Sequence, residues 1–182
     1  IILHMPPVLT LLLACLLTLP ALAQKKNGSD VPDFGQIDKA DLEMTTCDFD
    51  KDAEAVVLFD VAELFFSLNT MELTLERHIR IKILKDKGLD RADVHIPYHS
   101  FKNDETIKNL NAQTYNLDAA GNIITTKVDK KLIYKKELDK RFSEQVFTFP
   151  EAKAGSIIEY KYTHLNVGLL DWYFQRSIPV KY

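Results

Sequence analysis

His95 and His99 stand four residues apart, the spacing that on a helix sets two imidazoles on one face for a metal ion. Pro97 lies between them and works against a helix. On a strand the same two side chains would be about 13 Å apart, too far to share one ion. They read as surface histidines. Cys47 could in principle act as a thiol nucleophile with a distant His. Its neighbours in Thr45-Thr46-Cys47-Asp48 include acid but no cation, the opposite of what an activated thiolate needs. Asp48, Asp50 and Asp52 alternate like the oxygen ligands of a calcium loop, yet the Gly and closing Glu are absent at the required spacing, which leaves a solvated turn. Asp139 and Glu144 lie in Lys-rich surroundings and read as surface acids rather than a glycosidase pair. No G-x-S-x-G, P-loop, G-x-G-x-x-G or C-x-x-C occurs. The sequence therefore assigns no catalytic, cofactor-binding or metal-binding residue.

What remains is an aromatic set near the C-terminal end: Phe147, Phe149, Tyr160, Tyr162, Trp172 and Phe174. At a period of two, Trp172, Phe174, Ile178 and Val180 share a face, which is the pattern of core packing. The alternative is an aromatic platform for a glycan. Arg176 interrupts the apolar face, so either a bulge turns it outward or it is buried against a carboxylate such as Asp171 or Glu159. Trp172, Phe174 and Arg176 are the interaction candidates that the sequence offers.

The elements that would position these groups are strands. Ala55–Phe59 is apolar on both faces and reads as a buried strand that Glu63–Leu68 continues or partners after a bend. Leu73–Leu84 alternates, with Ile79, Ile81 and Ile83 on one side and His78, Arg80 and Lys82 on the other, as in a half-exposed strand. Val94–Tyr98 is short, and Pro97 pushes it toward a sheet edge. Ile107–Leu117 and Ile123–Val128 flank the hairpin loop Asp118–Asn122, where Gly121 can take positive φ. Lys130–Tyr134 and Phe142–Phe149 are two further strands. Val146–Phe149 is expected to form a hairpin with Ser156–His164 through the loop at Pro150–Gly155. Phe34–Met44 reads as one short helix with Asp38 as its N-cap and Ile37 stapled to Leu42. Short strands at spacings of roughly 8–12 residues, without β-α-β alternation, predict an antiparallel sandwich or barrel.

Composition agrees with one core-forming domain plus an appendage: 182 residues, 46% hydrophobic and 27% charged. A net charge of −3 gives no reason to expect nucleic acid or an anionic membrane as partner. The appendage is N-terminal. Met5-Pro6-Pro7 leads into the apolar run Val8–Leu19, and Ala21-Leu22-Ala23 matches a signal-peptidase site, so residues 1–23 are expected to be a signal peptide cleaved before Gln24. The run is short of the roughly 20 residues needed to span a bilayer. Leu12-Leu13-Ala14-Cys15 resembles a lipoprotein box, and anchoring through Cys15 is the alternative. After ordinary cleavage only Cys47 remains, so no internal disulfide can form. Residues 24–33 read as a flexible leader, and 34–182 as the folded domain, exported to the periplasm, the cell surface or beyond. The strand expected over Asp171–Tyr182 is still in its alternating pattern at the last residue, so truncation and a missing edge neighbour are expected there.

Phe34–Ile37 (FGQI), Ala55–Asp60 (AVVLFD), Arg77–Leu89 (RHIRIKILKDKGL), Asn111–Ile123 (NAQTYNLDAAGNI), Phe147–Tyr162 (FTFPEAKAGSIIEYKY) and Asp171–Tyr182 (DWYFQRSIPVKY) together resemble the domain of unknown function family 3857, found in secreted bacterial proteins ahead of a transglutaminase-like domain. The resemblance implies an immunoglobulin-like β-sandwich, followed by a papain-like domain with a Cys-His-Asp triad. None of that triad maps onto these residues. The expectation is a non-catalytic accessory module that positions or presents the downstream domain or its protein substrate. A glycan- or surface-binding module is the alternative, and an enzyme in its own right the third class.

Overall fold

The computed structural model describes residues 31–168 and 178–181. Five strands, β1 (Ala55–Ser67), β2 (Glu72–Ile83), β4 (Thr106–Leu117), β5 (Ile123–Lys127) and β8 (Ile157–Leu165), form one sheet in the order β1-β2-β8-β4-β5. Three more, β3 (Asp93–His99), β6 (Tyr134–Glu137) and β7 (Phe142–Thr148), form a second in the order β3-β7-β6. Both sheets are antiparallel, and they pack as a sandwich. The core between them is built from the period-two faces: Ile79, Ile81, Ile83, Ile158 and Tyr160 of the large sheet meet Val94, Ile96, Phe147 and Phe149 of the small one. Phe147 meets Phe149 and Tyr160 edge-on at 5.4 and 5.8 Å, the geometry that aromatic quadrupoles favour. These aromatics are core, as their spacing suggests. Trp172, Phe174 and Arg176 lie outside the described residues.

Local chemistry explains several boundaries. Gly121 takes φ +78, and the Asp118 carboxylate accepts from the backbone N–H groups of Ala120 and Asn122 at 2.8 Å, closing the β4–β5 hairpin where the sequence placed it. Pro97 sits in β3, an edge strand, as a residue without an N–H requires. The helix α1 spans only Lys39–Glu43, with Asp38 as its cap, its Oδ1 2.9 Å from the Ala40 N–H. Residues before it do not join because Gly35 holds φ +93.

Three expectations are corrected. Val146–Phe149 and Ser156–His164 do not form a hairpin. β7 pairs with β3 and β6, whereas β8 pairs with β2 and β4, so the loop between them crosses from one sheet to the other. Lys130–Tyr134 is not a strand: Lys130–Leu132 is a 3₁₀ turn capped by the Asp129 carboxylate, and the strand starts at Tyr134. Most consequential, Leu73–Leu84 is not half-exposed, because Arg80 and Lys82 are 1% and 0% exposed. The five-stranded sheet is covered on both faces. The second cover is the segment ahead of β1, which brings Leu42, Cys47 and Ala53 into the interior.

Residues 178–181 run beside β1. The Val57 N–H donates to the Pro179 carbonyl at 2.9 Å, and the Lys181 N–H to the Val57 carbonyl at 2.8 Å, a parallel bridge at the point where β1 bulges between Val57 and Phe59. The remainder of the expected strand Asp171–Tyr182 falls outside the described residues.

Candidate functional site

The residues singled out for chemistry stay apart. Cys47 is a buried free thiol. His95 pairs with Glu144 at 2.8 Å, and His99 with Asp104 at 3.7 Å. Asp139 is occupied by the backbone N–H groups of Arg141 and Phe142, which hold its carboxyl below the usual carboxylate range. Asp48 and Asp50 serve their own turn. Among the described residues no group of three or more His, Cys, Asp or Glu side chains could hold a metal ion.

Two other regions stand out. The first is a charge cluster on the outer face of the large sheet, beneath the segment that carries α1. Antiparallel register places Phe59, Arg80, Glu159 and Gln113 in one row across β1, β2, β8 and β4. Glu159, fully buried, is its centre. Its Oε1 accepts from Arg80 (2.6 Å from one terminal nitrogen, 3.2 Å from Nε) and lies 2.8 Å from His78 Nε2. Its Oε2 accepts from the Tyr115 hydroxyl and from the Gly35 N–H at 3.0 Å. The Gln113 Nε2 amide donates to the same Tyr115 hydroxyl. The Arg80 guanidinium lies 4.8 Å from the Phe59 ring centroid, and the ring of His78 meets Phe59 edge-on. Burial alone would raise the Glu159 carboxyl. The hydrogen bonds from His78 and Tyr115 and the Arg80 charge outweigh it and hold the group below the usual carboxylate range.

Lys82 lies on the same face, and its Nζ donates to the carbonyls of Leu42 and Gly155, each at 2.6 Å. Burial lowers its pKa to about 8, with the Asp41 charge opposing. A neutral amine has two hydrogens for these two acceptors, so its loss of charge costs no hydrogen bond. The charged groups of this cluster bond chiefly to one another, and two of them, Glu159 and Lys82, bind the covering segment, at Gly35 and Leu42. The arrangement works as a lock on that segment.

The second region is the far end of the β1–β2 hairpin. Here Leu64, Phe65, Phe66, Leu68 and Met71 are exposed, from 47% at Leu64 to 81% at Leu68. The strands remain paired to the tip, Phe66 opposite Leu73 and Ser67 opposite Glu72. At its root the hairpin is held by Arg77, whose guanidinium grips Asp60 bidentately at 2.8 and 2.6 Å. The tip is therefore a rigid apolar projection, a form that soluble surfaces avoid unless something meets it. The alternation of the sequence could have shown it: ELFFSL carries apolar residues on both faces of a strand end, where a solvated hairpin would alternate.

Fold and site thus define a β-sandwich module with a locked N-terminal cover and an apolar hairpin, without a recognisable catalytic constellation among the described residues. Residues 70–181, more than half of the chain, match the family model of a domain of unknown function with a solved structure, DUF3857. The chain belongs to that family. The segments FGQI and AVVLFD precede the matched span. No curated protein matches the chain. Among solved structures it is similar to a protein of Parabacteroides distasonis described only as a candidate protease, with 13% identity, a TM-score of 0.50 and 63% of this chain covered. At that identity the likeness concerns the fold. The chain spans 23% of that protein's length.

Proposed function

We propose that this domain is a non-catalytic accessory module of a larger exported protein of protease- or transglutaminase-like character, positioning its downstream domain or presenting that domain's protein substrate. The observation that carries this reading is the apolar β1–β2 tip, where five large hydrophobic side chains stand exposed on a hairpin held rigid at its root. Support also comes from the buried Glu159–Arg80 cluster, whose bonds are spent on internal structure, and from the similar fold occurring as a fraction of a much longer candidate protease. The occupant of the tip in this reading is the neighbouring domain of the same chain.

The test uses the full-length protein. Replacing Leu64→Ser and Phe66→Ser together should leave this domain folded while loosening its neighbour. Residues 62–72 should then exchange backbone hydrogens faster, and the connection between the domains should be cut more readily by an added protease. Identical exchange and cutting in the variant and the parent would sink the reading.

A further inference from the structure

We infer that the edge strand β6 is a docking site for an extended acidic polypeptide, which would join the three-stranded sheet as a further strand. The inference does not rest on the reading above, since β6 belongs to the other sheet from the apolar hairpin.

The first observation is charge. Residues 127–141 contain seven Lys or Arg and three Asp or Glu, a net +4, in a chain whose total is −3, so the other residues carry −7. The acids in this stretch do little to neutralise it. Asp129 caps the turn at the Lys131 N–H, and Asp139 accepts from the backbone of Arg141 and Phe142. Glu137 pairs with Lys135 at 3.5 Å, and Lys136 with Glu144 at 3.8 Å. Among the described residues, Lys127, Lys130, Lys131 and Lys140 have no acidic partner within 4 Å. The positive field along this edge is left for something else to meet.

The second observation is the edge itself. Among the described residues β6 pairs with β7 alone, and all four of its residues are exposed. The Leu138 N–H donates to the Phe142 carbonyl at 3.0 Å. Antiparallel alternation then turns the backbone groups of Lys136 and Tyr134 toward β7, and those of Lys135 and Glu137 outward. An incoming strand would find two N–H and two C=O groups already in extended geometry. Exposed Leu132, Tyr134 and Leu138 stand among the lysines and offer apolar contact to its side chains. Lysines on an edge repel a second copy of that edge. The same charge selects an acidic strand, so what keeps two copies of this edge apart also recognises an acidic partner.

The experiment titrates isotope-labelled protein with a blocked peptide of alternating Glu and Thr, reading backbone amide resonances. The expected result is shifts centred on Lys135 and Glu137, with affinity falling roughly tenfold as salt is raised to about 0.5 M. Lys135→Pro removes an outward N–H without touching the β7 ladder and should abolish binding. The pair Lys131→Glu and Lys140→Glu, both at exposed sites, should weaken it while leaving the spectrum otherwise intact, and serves if the proline variant fails to fold. Absence of β6 shifts, or binding unchanged in the charge-reversed variant, would overturn the inference. So would binding of phosphatidylglycerol vesicles without binding of the peptide, which would make the patch a membrane-facing one.

Discussion

The outer face of the large sheet around β2 and the tip of the β1–β2 hairpin invert the usual distribution of residues. At one end, Arg80, Lys82 and Glu159 are almost wholly removed from water; a few turns of the pleat away, Leu64, Phe66 and Leu68 stand in it. The contrast shows that residue type alone decides neither outcome. Charges are tolerated inside because each meets a partner at hydrogen-bond distance, and a segment distant in sequence supplies part of the set. The apolar tip is left outside because the hairpin outruns the small sheet that would cover it.

Breaking the buried side should have the largest effect. Glu159→Ala strands Arg80 in the interior and should cost about 3–5 kcal/mol of stability, read from the denaturation midpoint. The double replacement Glu159→Leu with Arg80→Met should recover much of that loss, and a double variant no better than the single would show that the cluster is not a closed pair. Leu42→Ala probes the cover rather than the charges. Its side chain is buried beside the carbonyl that Lys82 holds, and its truncation should cost about 2–4 kcal/mol.

Lys82 is lowered to about 8 in the fold, against about 10.4 in the unfolded chain. Between those values the unfolded state binds more protons, so stability should rise as pH goes from 8 to 10, by about 2–3 kcal/mol at most. In Lys82→Met that rise should vanish; a rise that persists would place its source elsewhere. Glu159 acts at the other end of the scale. Its depressed carboxyl contributes stability that is present above the ordinary Glu value and is lost as pH falls through its folded value. The smallest effect belongs to the exposed side. Phe66→Ser should change stability by no more than about 0.5 kcal/mol, while reducing self-association measured by light scattering. A large destabilisation there would mean that the tip is covered after all.

The period of the strands was legible in the sequence, and so was the sandwich. The sides were not. Alternation puts Ile79, Ile81 and Ile83 in the core, but it reports two faces without saying what lies over the second, so the opposite face of β2 reads as solvent-facing. The signal was present next door: Ala55–Phe59 is apolar on both faces, and a strand paired to it shares its covers. The pairing of β8 was hidden for a similar reason. Val146–His164 looks like a local hairpin, and nothing within it says that its two halves join different sheets. The glycan alternative turned on Trp172 and Phe174, which the described residues do not include.

The position of β8 has a consequence for the order of assembly. β8 is the middle strand of the large sheet and the last of its five strands in sequence, pairing with β2 on one side and β4 on the other. As the chain is synthesised, the β1–β2 and β4–β5 hairpins emerge before the strand that unites them, each with an apolar face and an unpaired edge. Glu159, which neutralises Arg80, arrives 79 residues after it. Closure of the sheet and discharge of the buried cation therefore occur in one late step, through contacts distant along the chain. Such contacts make folding slow and the waiting hairpins prone to association. A nascent chain of this kind is suited to being held unfolded until it is complete.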